Sequence, residues 1–184
     1  GLAEDNWQRS AYMKQDAALV HFHNSLWASA LSGASGTAMF WWWELLDPMD
    51  AYPQYSPLAK FMADVPLDSG LEASGARVTG AEVRVVGLQG RDCVYLWLFN
   101  PQATWWNQVV QKQTPGEVAS ARLDVPQLAA GTYRVVWWDT DRGTVLAEQE
   151  AQLESGSLTV EVPGFTDDIA CKVVPKTPSA SLPK

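Results

Sequence analysis

The sequence predicts an α+β chain in two parts: a helix–strand–helix segment over residues 1–66 and an antiparallel β-sandwich over residues 76–175. Two observations support this. Apolar residues recur at helical spacing in the first part, whereas in the second part they alternate with polar residues. Turn-forming residues also divide the second part into short, regularly spaced runs, which is typical of a sandwich. Residues 67–75 between the parts have the composition of a linker.

The first part begins with a helical pattern. Apolar residues follow one another at helical spacing from Asp16, and Gly33 is a suitable stop, so a helix of roughly 16 residues is expected. Residues 37–43 form a continuous apolar run, which predicts a strand buried on both faces, as in a parallel sheet or a barrel. A second helix is expected from Ser56–Pro57 to Pro66. Such a unit cannot close a core alone, so it should pack on another domain or need further segments.

The second part is predicted to be a series of strands. The expected strands are 76–88, 92–100, 118–125, 131–139, 144–153, 157–162 and 168–174. Alternation along them predicts these core residues: Val83, Val85, Tyr95, Trp97, Leu123, Val135, Leu158, Val160, Val162, Ile169, Cys171 and Val173. Of the adjacent Trp137 and Trp138, one should enter this core and the other should face the first part. Residues 176–184 are predicted to be a flexible tail.

Charge and apolar content limit the classes of partner. Hydrophobic residues make up 47% of the chain, which is ample for a core. The formal net charge of −8 argues against nucleic acid and anionic membrane as partners, because phosphates repel an acidic surface. No apolar run is long enough to predict a membrane span. A neutral polysaccharide remains compatible with this composition.

The abundance of tryptophan has two interpretations. There are 10 tryptophans in 184 residues, and an indole ring buries a large area in a core or an interface. The ring can also stack on the apolar face of a pyranose. Trp105 and Trp106 follow a turn-forming segment and would form a sugar platform or a domain interface if they are exposed. Packing remains the alternative for each tryptophan.

The titratable residues predict neither a metal nor a cofactor. His21 and His23 are two positions apart, so they lie on different faces of a helix and do not form a metal pair. The segment from Asp139 to Gly143 is typical of a hairpin turn and lacks the pattern of a calcium loop. Cys93 and Cys171 lie in apolar alternating runs, so buried free thiols are expected, with a single disulfide as the alternative.

Two motifs resemble parts of a known enzyme family. Residues 23–44, HNSLWASALSGASGTAMFWWWE, resemble the last helix–strand step of the TIM barrel, or (β/α)8 barrel, in bacterial glycoside hydrolases of the cellulase and mannanase clan. Residues 131–143, GTYRVVWWDTDRG, are similar to the collagen-binding-like β-sandwich that follows the barrel in many of these enzymes. Together the two resemblances cover nearly all of residues 16–175.

The resemblance implies that this chain is the C-terminal part of a hydrolase acting on β-linked polysaccharide. Residues 1–66 would then be the last piece of the barrel, and the parent enzyme would be secreted or periplasmic. Enzymes of this family use two carboxylates, at the ends of the fourth and seventh barrel strands, and this chain would begin beyond both. The isolated chain is therefore expected to be inactive. A non-catalytic carbohydrate-binding or barrel-supporting module is the alternative.

Substrate contacts are expected at the end of the predicted strand. Along a strand, Trp41 and Trp43 share one face, while Trp42 and Glu44 share the other. Because barrel enzymes build their sites at the carboxyl ends of strands, Trp42 and Glu44 are expected to face the substrate. Glu44 stands where the family more often has aspartate, and it is the catalytic candidate of this chain.

The partners predicted for the chain are a polysaccharide or oligosaccharide and either the missing barrel segment or another copy of the chain. The residues expected to bind the sugar are Trp41, Trp42, Trp43, Glu44, His23, Asn24, Trp105 and Trp106.

Overall fold

The structure is a computed structural model that describes residues 10–176. Its architecture is α+β, with mostly antiparallel strands and few helices, which confirms the predicted class. Two helices come first, α1 (Val20–Leu31) and α2 (Tyr55–Met62). The strands are β1 (Glu72–Ala73), β2 (Arg77–Thr79), β3 (Arg84–Gln89), β4 (Val94–Phe99), β5 (Arg122–Val125), β6 (Gly131–Asp139), β7 (Thr144–Leu153), β8 (Leu158–Glu161) and β9 (Asp168–Pro175). Apart from Lys176, the predicted tail over 176–184 lies outside the described residues.

Short helical turns join these elements. Turns of 3-10 helix span Ala11–Gln15, Trp43–Leu45 and Tyr52–Gln54, and a π-helical turn spans Trp106–Val110. The turn over Tyr52–Gln54 leads straight into α2. As a result, α2 begins at Tyr55 without a side-chain cap, rather than at the predicted Ser56–Pro57.

The strands form two antiparallel sheets that share one core. The larger sheet has six strands in the order β1-β3-β4-β9-β6-β7, and the smaller has three in the order β2-β5-β8. Leu96, at the middle of β4, lies opposite Gly87 of β3 and Cys171 of β9. Leu96 and Leu123, from the two different sheets, are both fully buried in the same hydrophobic cluster.

The outer face of the six-stranded sheet is covered by the helices. Trp97 of β4 packs in a second cluster with Trp27 of α1 and Phe61 of α2. Because successive side chains of a strand point to opposite faces, β4 contributes to both cores and all its residues are buried. We call residues 19–65 the helical layer and residues 72–176 the two-sheet unit.

The predicted core is confirmed at most positions and wrong at two. Tyr95 and Trp97 are buried, but they contact the helical layer instead of the space between the sheets. An uninterrupted apolar strand such as β4 carries no polar residue to mark its outer face, so alternation could not assign its two faces. Val83 and Val85 are only partly buried, and the other predicted residues lie in the core that the sheets share.

Helix α1 begins at Val20 rather than at Asp16. Leu19, with φ of 57°, adopts the left-handed conformation and separates the helix from the preceding turn. The carboxylate of Asp16 accepts hydrogen bonds from the backbone N–H of Val20 at 2.9 Å and of His21 at 3.2 Å. Asp16 therefore caps the helix from outside, where its negative charge also suits the helix dipole.

The strand predicted over residues 37–43 does not form. Residues 37–40 have no regular structure, and the chain then turns into the 3-10 helix Trp43–Leu45. A strand needs a neighbour for its backbone N–H and C=O groups, and no strand within residues 10–176 pairs with this segment. Strand pairs within that range are all antiparallel, so the parallel pairing of a barrel is not seen there.

Two further segments differ from prediction. Glu72–Ala73 lies in the predicted linker but forms β1, which pairs with β3. The single strand expected over 76–88 is split into β2 and β3, which belong to different sheets. Gly80 lies at the break with φ of 87°, and a Cβ there would be 2.7 Å from the carbonyl oxygen of Ser120. Only glycine fits that position without strain.

Later predicted strands match the structure more closely. The predictions over 92–100, 131–139, 144–153, 157–162 and 168–174 correspond to β4, β6, β7, β8 and β9. In place of the strand expected over 118–125, Val118 makes an isolated bridge to Phe165 and β5 begins only at Arg122. Cys93 and Cys171 are free thiols, and burial raises the pKa of both.

Candidate functional site

A buried polar cluster lies where the helical layer meets the six-stranded sheet. Helix α1 directs the ring of His23 toward Asp168, the first residue of β9. The Nε2 atom of His23 is 2.8 Å from Oδ2 of Asp168, and the two side chains are only 11% and 4% exposed. Because water screens such a pair poorly, its electrostatic attraction exceeds that of a surface ion pair.

Asp168 is held by donors from three directions. Besides His23, the indole Nε1 of Trp97 donates to Oδ2 at 2.5 Å. The hydroxyl of Thr140, at the end of β6, donates to Oδ1 at 2.5 Å. A buried carboxylate is tolerated only when it is paired and hydrogen-bonded, and these contacts meet that requirement. Asp168 therefore joins α1 to strand β4 and to the β6–β7 hairpin.

The other ring nitrogen of His23 also faces oxygen acceptors. Its Nδ1 atom is 3.3 Å from Oε1 of Gln54 and 3.6 Å from Oδ1 of Asp141. A neutral imidazole has one donor nitrogen and one acceptor nitrogen, so only the imidazolium form suits both sides. Burial acts to lower the pKa of His23, but Asp168, Asp141 and Gln54 outweigh burial and raise it above its ordinary value.

A small polar pocket opens beside this cluster. Its volume is about 110 Å³. Its lining residues include Asn24, Gln108, Asp141 and Asp167 in addition to His23 and Asp168. Both residues are exposed, but partial loss of water contact at the pocket, together with neighbouring carboxylates, raises the pKa of Asp141 and of Asp167. Ligand pockets usually hold about 300–1,000 Å³, so this one is too small for an oligosaccharide.

His23 and Asn24 of the first motif both make hydrogen bonds within the protein. His23 belongs to the interlayer cluster, and the side-chain amide of Asn24 donates to the carbonyl of Ala103 at 3.3 Å. Sequence reasoning left both structural and sugar-binding roles open for them. In this structure, the hydrogen bonds of both side chains are made to protein groups at the junction of the layers.

The tryptophans of the first motif are divided between water and the interior. Trp41 and Trp43 are 81% and 72% exposed. Trp42 is half-buried and packs on a small cluster that contains Trp105. Glu44 is exposed and lies in the 3-10 turn Trp43–Leu45, so the alternation of a strand does not pair it with Trp42. The expected arrangement depended on a strand that does not form here.

Trp105 and Trp106 do not form a flat double platform. Trp105 is only 7% exposed, whereas Trp106 is 46% exposed. Their ring centroids are 6.4 Å apart and their planes are inclined by 54°. Of these two rings, only that of Trp106 is open enough for a pyranose to stack on. In the second motif, Trp137 is buried in the core shared by the sheets, while Trp138 packs against Phe61 of the helical layer, as predicted for that pair.

Sequence reasoning missed a second buried acid–histidine pair. The carboxylate of Asp16 contacts Nδ1 of His21, and the two side chains are 0% and 3% exposed. The Nε2 atom of His21 has no hydrogen-bond partner among the described residues, and the ring of Phe40 lies 4.8 Å away between centroids. An acid just before a helix that contains histidine in its first turn was the available signal. Phe40 closes this pair to any substrate in the present structure.

Lys172 is another contact that sequence reasoning did not single out. It is 7% exposed on β9 and its ammonium contacts Asp64. The same ammonium lies 4.7 Å from the ring centroid of Phe61 and 5.4 Å from that of Trp138. Cation–π contacts of this kind are stabilising when water is excluded. Lys172 therefore holds the end of α2 on the sheet.

The described part of the chain provides no metal site and no membrane-spanning helix. Within residues 10–176, no group of three or more His, Cys, Asp or Glu side chains is placed to hold a metal ion. None of the helices in that range is long and apolar enough to cross a membrane.

Among the comparisons with known proteins, only the comparison with solved structures gave matches. No protein-family model matches the sequence, and no curated protein matches it. A structure described as a glycoside hydrolase is 14% identical with a TM-score of 0.46, over 97% of this chain and 40% of that chain. A glycoside hydrolase family 5 protein from Bacteroides vulgatus ATCC 8482 is 15% identical with a TM-score of 0.44, over 95% of this chain and 38% of that chain. The chain thus spans well under half the length of these two proteins, and similarity at this level does not establish a shared function.

Proposed function

We propose that this chain is the C-terminal, non-catalytic part of a glycoside hydrolase acting on β-linked polysaccharide, in which a β-sandwich supports the helical layer beside a barrel. The observation that carries the proposal is the exposure of the tryptophan segment. Met39, Trp41 and Trp43 are 98%, 81% and 72% exposed in a layer whose other side is packed on the sheet. Large apolar side chains gathered in water mark an interaction surface. The segment belongs to the motif that resembles the last barrel strand.

The contacts between the layers are consistent with a sandwich that holds the helical layer in place. Phe61 and Trp27 are fully buried between α1, α2 and the sheet, and His23 and Lys172 add charged contacts on either side of them. Apolar burial contributes roughly 25 cal/mol per Å², so these large rings supply most of the attachment. A helical layer attached in this way would present residues 39–44 to a barrel in a defined position.

The surroundings of Asp141 and Asp167 support the proposal that the isolated chain is inactive. Hydrolysis of a glycosidic bond needs two carboxylates, about 5–5.5 Å apart in retaining enzymes and about 6.5–9.5 Å apart in inverting ones, with the sugar between them. Asp141 and Asp167 border a pocket of about 110 Å³, well below the usual size of a ligand pocket. The catalytic carboxylates would then come from the rest of the enzyme, and Glu44 would line the site without performing the chemistry.

Reconstitution tests this proposal. The chain alone should release no reducing sugar from soluble β-glucan, mannan or xylan. Addition of the separately produced segment encoded upstream in the same gene should restore hydrolysis of one of them. A double variant, Trp41→Ala with Trp43→Ala, should weaken that restoration, whereas Trp106→Ala, which changes an exposed tryptophan outside the segment, should not. Turnover by the chain alone, or no turnover after addition of the upstream segment, would contradict the proposal.

Carbohydrate binding without catalysis is the second candidate function. It is favoured by the same exposed rings, because Trp41 and Trp43 could stack on a sugar chain without any barrel. In that case the isolated chain should bind β-linked oligosaccharides, and the tryptophan emission should shift in a titration that Trp41→Ala abolishes. A titration without any shift would leave the supporting role as the better account.

A further inference from the structure

We propose that His23 is a pH-operated latch between the two layers of this protein: its protonated form fastens α1 to the six-stranded sheet, and loss of the proton weakens that contact. The proposal concerns the attachment of the helical layer and does not depend on glycoside hydrolysis. It is based on the positions of the groups around the imidazole ring.

Oxygen acceptors face both ring nitrogens of His23. On the Nε2 side, the carboxylate of Asp168 lies at 2.8 Å. On the Nδ1 side, Gln54 Oε1 lies at 3.3 Å and Asp141 Oδ1 at 3.6 Å. The side-chain amide nitrogen of Gln54 donates to the carbonyl of Ala18 at 3.5 Å, which turns its oxygen toward the histidine. The imidazolium therefore supplies a proton to each side, and neutral imidazole supplies only one.

Charged groups from each element around the ring reinforce this arrangement. Strand β9 supplies Asp168, the residue before it is Asp167, and the β6–β7 hairpin supplies Asp141. Arg142, a cation close to this group, is 80% exposed and pairs with Asp139 at 3.7 Å. The surroundings of His23 are thus mainly acidic, and they favour its cationic form.

Loss of the proton would remove one hydrogen bond and place a nitrogen lone pair against an oxygen. A buried polar atom without a partner is unfavourable, so the contact between α1 and the sheet should weaken. Contacts of α2 with the sheet run through Lys172, Asp64 and Phe61 and contain no histidine. A rise in pH should therefore loosen α1 and its contact with Gln54, the residue before α2, while the far end of α2 stays attached through Lys172.

The direction of the pH effect follows from the shift of the histidine. Because the pKa of His23 is raised in the folded protein, its stabilising contribution is complete below the ordinary value of about 6.5 and is lost as the pH rises through the folded value. Asp141 and Asp167 also have raised pKa values. Protonation of these carboxyl groups also stabilises the folded protein, so stability again falls as the pH rises. For them the fall begins at about pH 4, a more acidic range than that of His23.

Two measurements on the full chain test the latch. An NMR titration of the imidazole signals, assigned with His21 and His23 variants, should place the midpoint of His23 above the ordinary value of about 6.5. Hydrogen exchange, corrected for the intrinsic effect of pH, should report a larger opening equilibrium constant for α1 amides as the pH passes that midpoint. The increase should be about tenfold for each unit by which the pKa of His23 is raised. Amides in the last turn of α2, beside the Lys172–Asp64 contact, should not show this step. A midpoint at or below the ordinary value, or an unchanged α1, would overturn the proposal.

Matched variants separate the latch from an ordinary packing contact. His23→Gln keeps a donor toward Asp168 but cannot titrate, so the step in α1 exchange should disappear. Asp64→Asn weakens an interlayer contact without histidine, so it should loosen α2 and leave the α1 step in place. Asp141→Asn changes a side chain that is 79% exposed and should fold normally. It should lower the His23 midpoint and shift the step to lower pH, and a midpoint that does not move would overturn the latch.

Discussion

The two-sheet unit and the helical layer differ in how many of their sides are covered. Leu96 and Leu123 meet between two sheets whose strands pair with one another, so this core is enclosed by the unit itself. In the helical layer, Trp27 and Phe61 are buried only because the sheet lies beneath them, and on the opposite side Trp41 stands in water. One half of the protein therefore contains its own core, whereas the other half is covered by the sheet on one side and leaves large apolar side chains exposed on the other.

Strand β4 connects the two halves. Its six residues are all buried, with alternate side chains in the two clusters. A change on one face of β4 therefore affects the sheets, and a change on the other face affects the attachment of the helices. This division allows each half to be perturbed separately.

Removal of the helical layer should have the largest effect. A chain that lacks residues 1–70 is expected to retain a cooperative thermal transition and a β-type circular dichroism spectrum, because its core lies between its own sheets. It should also self-associate, since Tyr95, Trp97 and Phe99 would lose their cover. Calorimetry and light scattering over a range of concentrations test both statements. A broad, non-cooperative transition would show that the sheets depend on the helices as well.

Matched leucine truncations should sharpen the same comparison. Leu96→Ala removes a fully buried side chain from the core that the sheets share, and should lower the free energy of unfolding of the whole protein by about 2–5 kcal/mol. Leu26→Ala makes the same change at a side chain that is 1% exposed in the helical layer. It should loosen α1 in hydrogen exchange with little effect on the sheets. Denaturant unfolding, monitored by circular dichroism, distinguishes the two variants. An equal loss of unfolding free energy in the sheet transition of both would contradict this prediction.

The exposed tryptophans should have the smallest effect on stability. The double variant Trp41→Ala with Trp43→Ala should change the free energy of unfolding by less than about 0.5 kcal/mol, as expected for exposed positions. The same variant should reduce self-association of the full chain, which we expect from the apolar surface of residues 39–43. Sedimentation analysis measures this association, and Trp106→Ala, which changes an exposed tryptophan outside the segment, is the control. Equal association in wild type and double variant would mean that the segment is not the contact surface.

The extent of correct prediction follows the same division. In the two-sheet unit, the strands β6, β7 and β9 were predicted nearly to the residue, because turn-forming residues mark where each of them begins or ends. Alternation failed to place Tyr95, since β4 has no wet face to mark. In the helical layer, both helices were predicted, but the strand over residues 37–43 was not found, since a strand requires a partner that residues 10–176 do not provide.

The candidate site shows the same limit. His23 was singled out because it belongs to a motif, but its partners Asp168 and Asp141 lie more than a hundred residues further along the chain. Asp16 and His21, by contrast, are five residues apart, so local reasoning about helix caps could have found that pair.

The sequence by itself determined the α+β class, the two helices, most strands and the surplus of aromatic residues, because those properties depend on the order of polar and apolar side chains within short segments. Only the tertiary structure decided which tryptophans are buried, which face of β4 meets the helices, and that His23 lies between two carboxylates. Those features depend on contacts between distant segments, which local periodicity does not encode.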